Sequence, residues 1–490
     1  MATTKESSGS RTNALEKLND NVPSAFIWRL TLLATLGGFL FGYDTSNIGA
    51  ALAFIEKDVY TLNDFGAGYL VAGASLGAAA GALLAGPLTD KFGRRVLLII
   101  DALIYAIGAV LSAVTWHVSV LMIARTFIGL AIGADSAIAT AYISEYAPKN
   151  RRGSLAMLQQ WMITVGILFS YIVALVILKV WPSASDVDWR WFFGLGAIPA
   201  IVGLIFRFDM PESPRWLIRK GKYEDAQKAF EKLEVNVTVE DVEYTAHELE
   251  QADAKAERQK SRAWTKGVKR ALIVVCVFFI FQQITGINVP LYYGPVLLGG
   301  YFQSGNDLVS VTVAGIEVTL IITAVNVIST YFAFKYIDKI GRRKLAMGGF
   351  AGMAVFAIVA AIGIGALTGV AQATVGMIGL SFFVASFAIG VGGTGWLIQG
   401  EMFPTAVRGQ AASIAAFFDW MANYALIEAF PAWQRSIGLE WVMICFAGLC
   451  VVAIVFVFKF LPETKNLSVE EITDIFEKQA EGKDVSLTHA

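Results

Sequence analysis

The sequence predicts an all-α membrane protein with twelve transmembrane helices arranged as two six-helix bundles. Hydrophobic residues make up 56% of the 490 residues and charged residues 16%, whereas soluble domains carry about 25% charged residues. The apolar residues fall in runs of about 20, which is the length of a helix that crosses a bilayer. A charged stretch divides these runs equally, and the same short motifs recur in both halves.

Each apolar run predicts one spanning helix. The runs lie at 28–55, 67–89, 95–115, 119–144, 154–180, 190–208, 268–298, 309–336, 344–366, 371–400, 409–430 and 438–460. The charged stretch from Lys220 to Lys266 has the pattern of short amphipathic surface helices. We therefore divide the chain into a cytoplasmic N-terminal tail that we expect to be disordered (1–27), a first bundle (28–208), a cytoplasmic linker with short helices (209–267), a second bundle (268–460) and a cytoplasmic C-terminal tail (461–490).

Basic residues fall in alternate loops, and this asymmetry predicts the orientation of the chain. Basic residues near the ends of spanning helices favour the cytoplasmic side. The basic loops carry Lys91, Arg94, Arg95, Lys149, Arg151, Arg152, Arg215, Lys222, Lys339, Arg342, Lys344 and Arg408. We expect these loops and both termini to lie in the cytoplasm, in a multi-pass protein of the cell (plasma) membrane.

Two cytoplasmic motifs occur once in each half. The pattern E-x-x-P-x-x-x-R-G begins at Glu145 and again at Glu401, and D-K-x-G-R-R begins at Asp90 and again at Asp338. This duplication suggests two similar bundles, an arrangement used by transporters that rock two halves about a central site.

Further motifs give the chain a family resemblance that extends from about Gly37 to Ser468. They are "GPLTDKFGRR" (86–95), "PESPRWL" (211–217), "QQITGINVPLYY" (282–293) and "PETKNLS" (462–468). With the paired E-x-x-P-x-x-x-R-G motifs, they resemble the sugar porter family of the major facilitator superfamily, which includes bacterial sugar–proton symporters and facilitative glucose transporters. The resemblance implies the major facilitator fold and uptake of hexoses, pentoses or polyols by proton symport or uniport.

The resemblance also implies a substrate site in the spans. The family's sugar-contacting positions correspond to Gln160, Gln282, Gln283, Asn288, Asn326, Trp396 and Asn423. Amides both donate and accept hydrogen bonds, as a sugar requires, and polar groups in spans usually face the bundle interior. The alternative is hydrogen bonding between helices without a ligand. Glycines and prolines predict a broken seventh span, with Tyr292 and Tyr293 as an outer gate.

Asp44 interrupts an apolar run, where a carboxylate costs about 2.5–3.5 kcal/mol. Arg125 in the fourth span is the expected partner, because arginine stays charged and holds the acid ionised until a proton or a conformational change releases it. In the resembling family, proton symporters carry Asp in "GYD", whereas animal glucose carriers generally carry Asn. We expect Asp44 and Arg125 to couple proton movement. The alternative is a permanent buried ion pair.

Charged residues in the repeated motifs predict a latch between the two halves on the cytoplasmic side, which should open when the substrate site faces inward. Its expected members are Asp90, Arg94, Arg95, Glu145, Arg152, Arg342, Glu401 and Arg408. Their alternative role is that of topology anchors, with surface ion pairs worth only about 0–1 kcal/mol each.

Four other acids lie in predicted spans, namely Asp135, Glu317, Asp419 and Glu428. Asp419 stands beside Trp420, where relatives usually carry Asn or Gln, and we include both residues in the substrate site. The carboxylate is expected to accept sugar hydroxyls or to bind a proton. A cationic or amino-bearing substrate and a structural ion pair are the alternatives.

Together, these features predict a proton-coupled symporter for a hexose or pentose that works by alternating access. The alternatives are a facilitative sugar or polyol uniporter and a sensor that binds sugar without transport, although sensors usually have a longer cytoplasmic tail. We do not expect an enzyme, because no nucleophile–base pair or phosphate loop appears. We expect no cofactor, no metal and no nucleic acid partner, and a monomer that contacts a small-molecule sugar, a proton and the lipid bilayer.

Overall fold

The computed structural model describes residues 13–19, 25–58, 62–146, 152–181, 189–302, 307–465, 467 and 469–482. The N-terminal tail and first bundle contain helices Ala14–Asn19 (α1), Ala25–Ala34 (α2), Leu36–Asp58 (α3), Asp64–Phe92 (α4), Arg94–Val114 (α5), Val118–Tyr146 (α6), Arg152–Val180 (α7), Arg190–Gly194 (α8) and Ala197–Arg207 (α9). The linker contains Pro214–Arg219 (α10), Tyr223–Lys232 (α11) and Val239–Ala263 (α12).

The second bundle follows the linker directly. Its helices and that of the C-terminal tail are Lys266–Ile284 (α13), Asn288–Tyr292 (α14), Gly294–Phe302 (α15), Leu308–Ile340 (α16), Arg342–Ala366 (α17), Gly369–Phe387 (α18), Gly393–Glu401 (α19), Thr405–Ile437 (α20), Leu439–Phe460 (α21) and Val469–Ala480 (α22). A π-helical turn, Ala388–Gly392, connects α18 to α19.

The predicted all-α membrane fold is confirmed. Among the described residues, eleven helical segments are long and apolar enough to cross a membrane. The remaining span is α20, which is more polar because it carries Asp419, Asn423 and Glu428. This helix packs against α4 of the first bundle and α13 of the second, so its polar residues lie between the two halves.

The seventh span is broken, as its glycines and prolines predict. Helix α13 ends at Ile284, and the chain resumes as the short α14 and then α15. Gly286 has a φ of 91°, a conformation that favours glycine. The tenth span is interrupted by the π-helical turn, where Gly390 packs directly against Gly349 of α17. Such turns are frequent at functional sites.

The two bundles meet along two long helix pairs, α4 with α20 and α7 with α16. Within the first bundle α4 packs on α6 and α3 on α7, and within the second α17 packs on α18 and α21. The pair of α4 and α20 brings Ser75 of the first bundle opposite Asn423 of the second.

Within the N-terminal tail, residues 13–19 depart from the disorder that the polar composition of the tail predicts. Helix α1 lies against α12, with the Lys17 ammonium 2.8 Å from the Asp241 carboxylate. The backbone N–H of Ala14 also donates to the Thr245 hydroxyl at 2.9 Å. Three apolar side chains of α1 are buried, and this burial orders a segment that composition alone assigns to solvent.

Candidate substrate and proton sites

Asp44 and Arg125 form the buried ion pair that the sequence predicts. Arg125 Nη1 lies 2.7 Å from Asp44 Oδ2, and the two residues are 2% and 0% exposed. Arg125 also donates from Nη1 to the Asp44 carbonyl at 3.2 Å and from Nε to the Leu70 carbonyl at 3.0 Å. Within the described residues Arg125 Nη2 is buried without a hydrogen-bond partner. Helices α3, α4 and α6 therefore all hold this guanidinium.

A chain of hydrogen bonds joins four of the predicted substrate residues. Gln283 Nε2 donates to Asp419 Oδ1 at 2.8 Å, and Gln283 Oε1 accepts from Asn288 Nδ2 at 2.9 Å. Asn288 Nδ2 also donates to Asn423 Oδ1 at 3.1 Å. Asn423 in turn donates to the hydroxyl of Ser75 in the first bundle at 3.0 Å. The chain therefore crosses from one half to the other, through a serine that sequence reasoning missed.

The direction of this chain follows from its acidic end. The Gln283 amide turns its N–H toward Asp419 Oδ1, which accepts the hydrogen bond. The Gln283 carbonyl then faces Asn288, and each further amide is oriented in turn. Asp419, the residue that departs from the family pattern, thus orients the neighbouring amides.

Gln282 and Trp396 connect the seventh span to the tenth. Gln282 Nε2 donates to the Gly392 carbonyl of the π-helical turn at 3.0 Å. The Trp396 ring lies 5.2 Å from the ring of Phe279 in an edge-to-face contact. A side chain at Gly395 would clash with the side chains of Gln282 and Phe279, so the glycine permits the close approach of the two spans.

Trp420 and two further predicted residues lie where the bundles meet. The ring of Trp420 contacts that of Phe41 in the first bundle, at 5.1 Å between centroids. Gln160 of α7 is half-buried, and Asn326 of α16 is buried. Between these last two, Trp161 Nε1 donates to the Val327 carbonyl at 3.3 Å. This contact, which the sequence did not indicate, brings Gln160 and Asn326 to the same part of the interface.

The predicted gate tyrosines are both buried. Tyr292 lies beside Thr45 and Asn423 and within electrostatic range of Arg125 and Asp419. It therefore stands between the ion pair and the hydrogen-bond chain. The Tyr293 hydroxyl donates instead to the Ile427 carbonyl of the same bundle at 3.0 Å. The two neighbours consequently have different surroundings.

Two further contacts join the halves on the side that we expect to face outward. The Tyr171 hydroxyl donates to the Leu291 carbonyl at 2.6 Å, and Arg435 at the end of α20 forms an ion pair with Asp64 at the start of α4. Sequence reasoning missed all of these contacts, because neither a lone tyrosine nor a loop acid carries a distinctive pattern.

In the form described here, the charges of the repeated motifs pair within each half, and a latch between the halves stays a prediction. Arg94 lies 3.0 Å from Glu145 and 3.5 Å from Asp90. Arg342 lies 2.7 Å from Glu401. The E-x-x-P-x-x-x-R-G motif specifies residue types, but it does not indicate whether these residues contact the other half. Each acid therefore reaches the arginine that begins a neighbouring helix of its own bundle.

The other latch candidates have local partners where they are described. Arg95 donates to the Phe208 carbonyl at 2.5 Å, and Arg408 Nε donates to the Phe403 carbonyl at 3.1 Å. The side chain of Arg152 lies outside the described residues. These contacts again tie neighbouring parts of one bundle.

Two glutamates in the quoted motifs cap helices in an identical manner, which the sequence analysis did not foresee. Glu212 of "PESPRWL" accepts the backbone N–H groups of Arg94 at 2.9 Å and Arg95 at 3.2 Å. Glu463 of "PETKNLS" accepts the corresponding groups of Arg342 at 2.8 Å and Arg343 at 3.2 Å. Carboxylates are favourable at helix N-termini, where N–H groups lack helical partners. The internal duplication therefore includes these two caps.

The cap of α5 is partly desolvated. Burial raises the pKa of the Glu212 carboxyl from its ordinary value, while the backbone N–H groups of Ser213, Arg95 and Arg94 oppose the shift. Gly93, which precedes α5, has a φ of 93° and directly faces Glu212, so a side chain there would displace the cap.

Comparison with known proteins agrees with this geometry. A family model described as "Sugar (and other) transporter" matches residues 30–476. The glucose transporter GlcP of Staphylococcus epidermidis is 36% identical over 444 residues, which are 90% of this chain and 95% of GlcP. The arabinose-proton symporter of Bacillus subtilis is 34% identical over 479 residues, which are 95% of this chain and 100% of that protein.

Solved structures of a xylose transporter are also similar to this chain. The inward-open xylose transporter XylE from E. coli is similar with a TM-score of 0.77 and 29% identity, covering 91% of this chain and 99% of XylE. The proton:xylose symporter XylE bound to 6-bromo-6-deoxy-D-glucose has a TM-score of 0.75 and 30% identity, covering 93% of this chain and 100% of that chain. This chain therefore belongs to the sugar porter family of the major facilitator superfamily, a family of multi-pass membrane transporters and not of enzymes.

Proposed function

We propose that this chain is a proton-coupled symporter for a hexose or pentose, working by alternating access in the cell (plasma) membrane. The observation that carries the proposal is the buried ion pair of Asp44 and Arg125, separated from the substrate amides by Tyr292. The names of two relatives, an arabinose-proton symporter and a proton:xylose symporter, support the same coupling and substrate class. Both termini are assigned to the cytoplasm because the basic loops favour that side.

The substrate site in this proposal is the set of amides between the bundles. A sugar hydroxyl both donates and accepts, so it can replace one amide–amide bond in the chain through Gln283, Asn288 and Asn423. The Asp419 carboxylate would accept hydroxyl hydrogens at the end of this chain. The indole of Trp396, half-buried beside Phe279, would cover the apolar C–H face of the sugar.

Proton binding would act through the Asp44–Arg125 contact. Protonation of Asp44 removes the charge that holds Arg125 Nη1 at 2.7 Å, so the three helices that share Arg125 are freed to move. Thr45, the next residue, contacts Tyr292 of the broken seventh span. Release of Arg125 is thereby connected to the gate and to the substrate amides.

Alternating access would then be a rocking of the two bundles about the interfaces of α4 with α20 and α7 with α16. The Arg94–Glu145 and Arg342–Glu401 pairs would stiffen each bundle in the form described here. In the form that opens outward, the same charges would instead latch the two halves on the cytoplasmic side, as expected from the repeated motifs.

The membrane potential is large enough to drive accumulation of sugar. One proton that crosses about 100 mV supplies about 2.3 kcal/mol. At about 1.4 kcal/mol for each factor of ten, this corresponds to a sugar gradient on the order of fifty-fold.

Proton movement in weakly buffered proteoliposomes tests the proposal. Sugar added outside should alkalinise the external medium as protons enter with the sugar, and protein-free liposomes should give no signal. Entry of labelled sugar without a pH change would overturn symport in favour of uniport. Binding of sugar without entry would identify a sensor. Competition by unlabelled hexoses, pentoses, polyols and amino sugars would define the substrate.

A further inference from the structure

Helix α6 carries three charged residues at intervals of ten, namely Arg125, Asp135 and Glu145. A helix rises about 1.5 Å per residue, so neighbouring members of this series are about 15 Å apart along the axis. Each forms an ion pair with a residue of another helix. The pairs are Arg125 with Asp44 of α3, Asp135 with Arg207 of α9, and Glu145 with Arg94 of α5. The middle pair lies on the cytoplasmic side of Asp44.

The middle pair is as deeply buried as the proposed coupling pair. Arg207 Nη2 lies 2.9 Å from Asp135 Oδ1, and the two residues are 1% and 3% exposed. Arg207 Nη1 also donates to the Leu98 carbonyl at 2.5 Å. Unlike the coupling pair, however, this one has a second acid beside it.

That second acid is Asp101 of α5, which is 6% exposed and within electrostatic range of both Asp135 and Arg207. Among the described residues, Asp101 Oδ2 and Asp135 Oδ2 are both buried without a hydrogen-bond partner. Gln159 of α7 lies beside Asp135, and its buried Oε1 also has no described partner. Two carboxyl groups therefore share one guanidinium.

Charge balance decides which species fits this cluster. Two ionised carboxylates beside one guanidinium leave one uncompensated negative charge, which is very unfavourable in a buried site. A metal cation of the calcium type needs about six oxygen ligands, whereas three unpartnered oxygens face the cluster from the described residues. A single proton removes the charge without any additional ligand.

We propose that Asp101, Asp135 and Arg207 form a second proton-binding site, which holds one proton on its pair of carboxyl groups at neutral pH. The described groups that face it are Asp101 from α5, Asp135 from α6 and Arg207 from α9, while Gln159 from α7 is neutral. Gly37 of α3 completes the enclosure, because it directly faces the Asp135 carboxylate. The site does not require that Asp44 take part in transport.

Infrared spectroscopy of the purified full-length protein at neutral pH tests this inference, because protonated and ionised carboxyl groups absorb separately. The wild type should show a protonated-carboxyl band that Asp101→Asn removes, since the single remaining carboxylate balances Arg207. Asp135→Asn should remove the same band. The matched control is Asp225→Asn, an exposed acid of α11, which should remove a carboxylate signal.

Two other results would contradict the proposed site. Loss of a carboxylate signal in Asp101→Asn, with the protonated-carboxyl band unchanged, would overturn the site. A band that appears only when sodium is withdrawn would also overturn it, because sodium would then be the resident cation. If Asp135→Asn does not fold, Asp101→Asn alone decides, since Asp101 Oδ2 accepts no hydrogen bond in the described residues. Retention of the band in Asp44→Asn separates this site from the proposed coupling pair.

Discussion

Asn423 of the second bundle donates a 3.0 Å hydrogen bond to Ser75 of the first. Both residues are buried, at 2% and 2% exposure. The proposed substrate amides are therefore linked directly to the opposite half of the molecule in the form described here. A change at Ser75 can consequently alter the balance between the two orientations without removing a predicted sugar ligand.

Ser75→Ala should shift the protein toward the form that opens outward. A hydrogen bond of this kind contributes about 1 kcal/mol, so the ratio of the two forms should change about fivefold. The experiment uses protein in which the three native cysteines are replaced and Ser46→Cys introduces a single new one. The rate at which this cysteine is labelled from outside is measured with and without Ser75→Ala. Ser46 lies beside Tyr171, whose hydroxyl donates to the Leu291 carbonyl of the other bundle.

Ser112→Ala is the matched control for this experiment. The Ser112 hydroxyl is also buried, but it donates to the Gly108 carbonyl of its own helix at 2.8 Å. Its loss should leave the labelling rate unchanged. Equal labelling in Ser75→Ala and Ser112→Ala would contradict the role of the contact between the halves.

Asp419→Asn should weaken sugar binding. Charge-assisted hydrogen bonds are about twice as strong as neutral ones, and the carboxylate also orients Gln283. We expect the sugar concentration for half-maximal uptake to rise about tenfold, equivalent to about 1.4 kcal/mol. Glu428→Gln, which changes another acid of α20, serves as the control. Selective loss of amino-sugar binding in Asp419→Asn would instead favour the cationic-substrate alternative.

Gly93→Ala should lower the melting temperature of the detergent-solubilised protein. Gly93 has a φ of 93°, which is costly for alanine, and an added side chain would displace the Glu212 cap of α5. Gly86→Ala, seven residues earlier, meets no atom within 4 Å and should cause little change. A fall of equal size in both variants would argue against the cap as the cause.

Glu212 should also give a defined pH dependence of stability. Burial raises its pKa in the folded protein, so the folded state binds a proton more readily than the unfolded state. Its contribution is therefore greatest below the ordinary glutamate pKa of about 4.3 and is lost as the pH rises through the raised folded-state value. Glu212→Gln should reduce the gain in melting temperature on mild acidification. An unchanged pH profile would contradict this assignment.

The sequence predicted the membrane fold and the partner of Asp44 because both follow from the cost of placing polar groups in apolar runs. A basic residue in a neighbouring span, here Arg125, can compensate an acid in mid-span. Arg207 was missed for a physical reason. It lies at the end of the predicted span 190–208, beside a loop that we expect to be cytoplasmic, so it resembles an orientation signal and not a buried partner of Asp135.

Contacts between residues that are far apart in the sequence were also not predictable. The motifs containing Glu212 and Glu463 were identified, but their capping role depends on the turns at Gly93 and Gly341, which bring distant segments together. Likewise, the motif at Glu145 does not encode which bundle supplies its arginine. The sequence showed which residue types are present, whereas the contacts between them could be identified only from the packed helices.

The most direct test of the account measures Asp44→Asn in two assays on the same proteoliposomes. Accumulation of sugar against its gradient, driven by an imposed proton gradient, should be lost because no carboxyl group at position 44 can carry the proton. Exchange of labelled for unlabelled sugar at equal concentrations should persist, because the substrate amides are intact. Full gradient-driven accumulation by Asp44→Asn would contradict the proposed coupling by this residue.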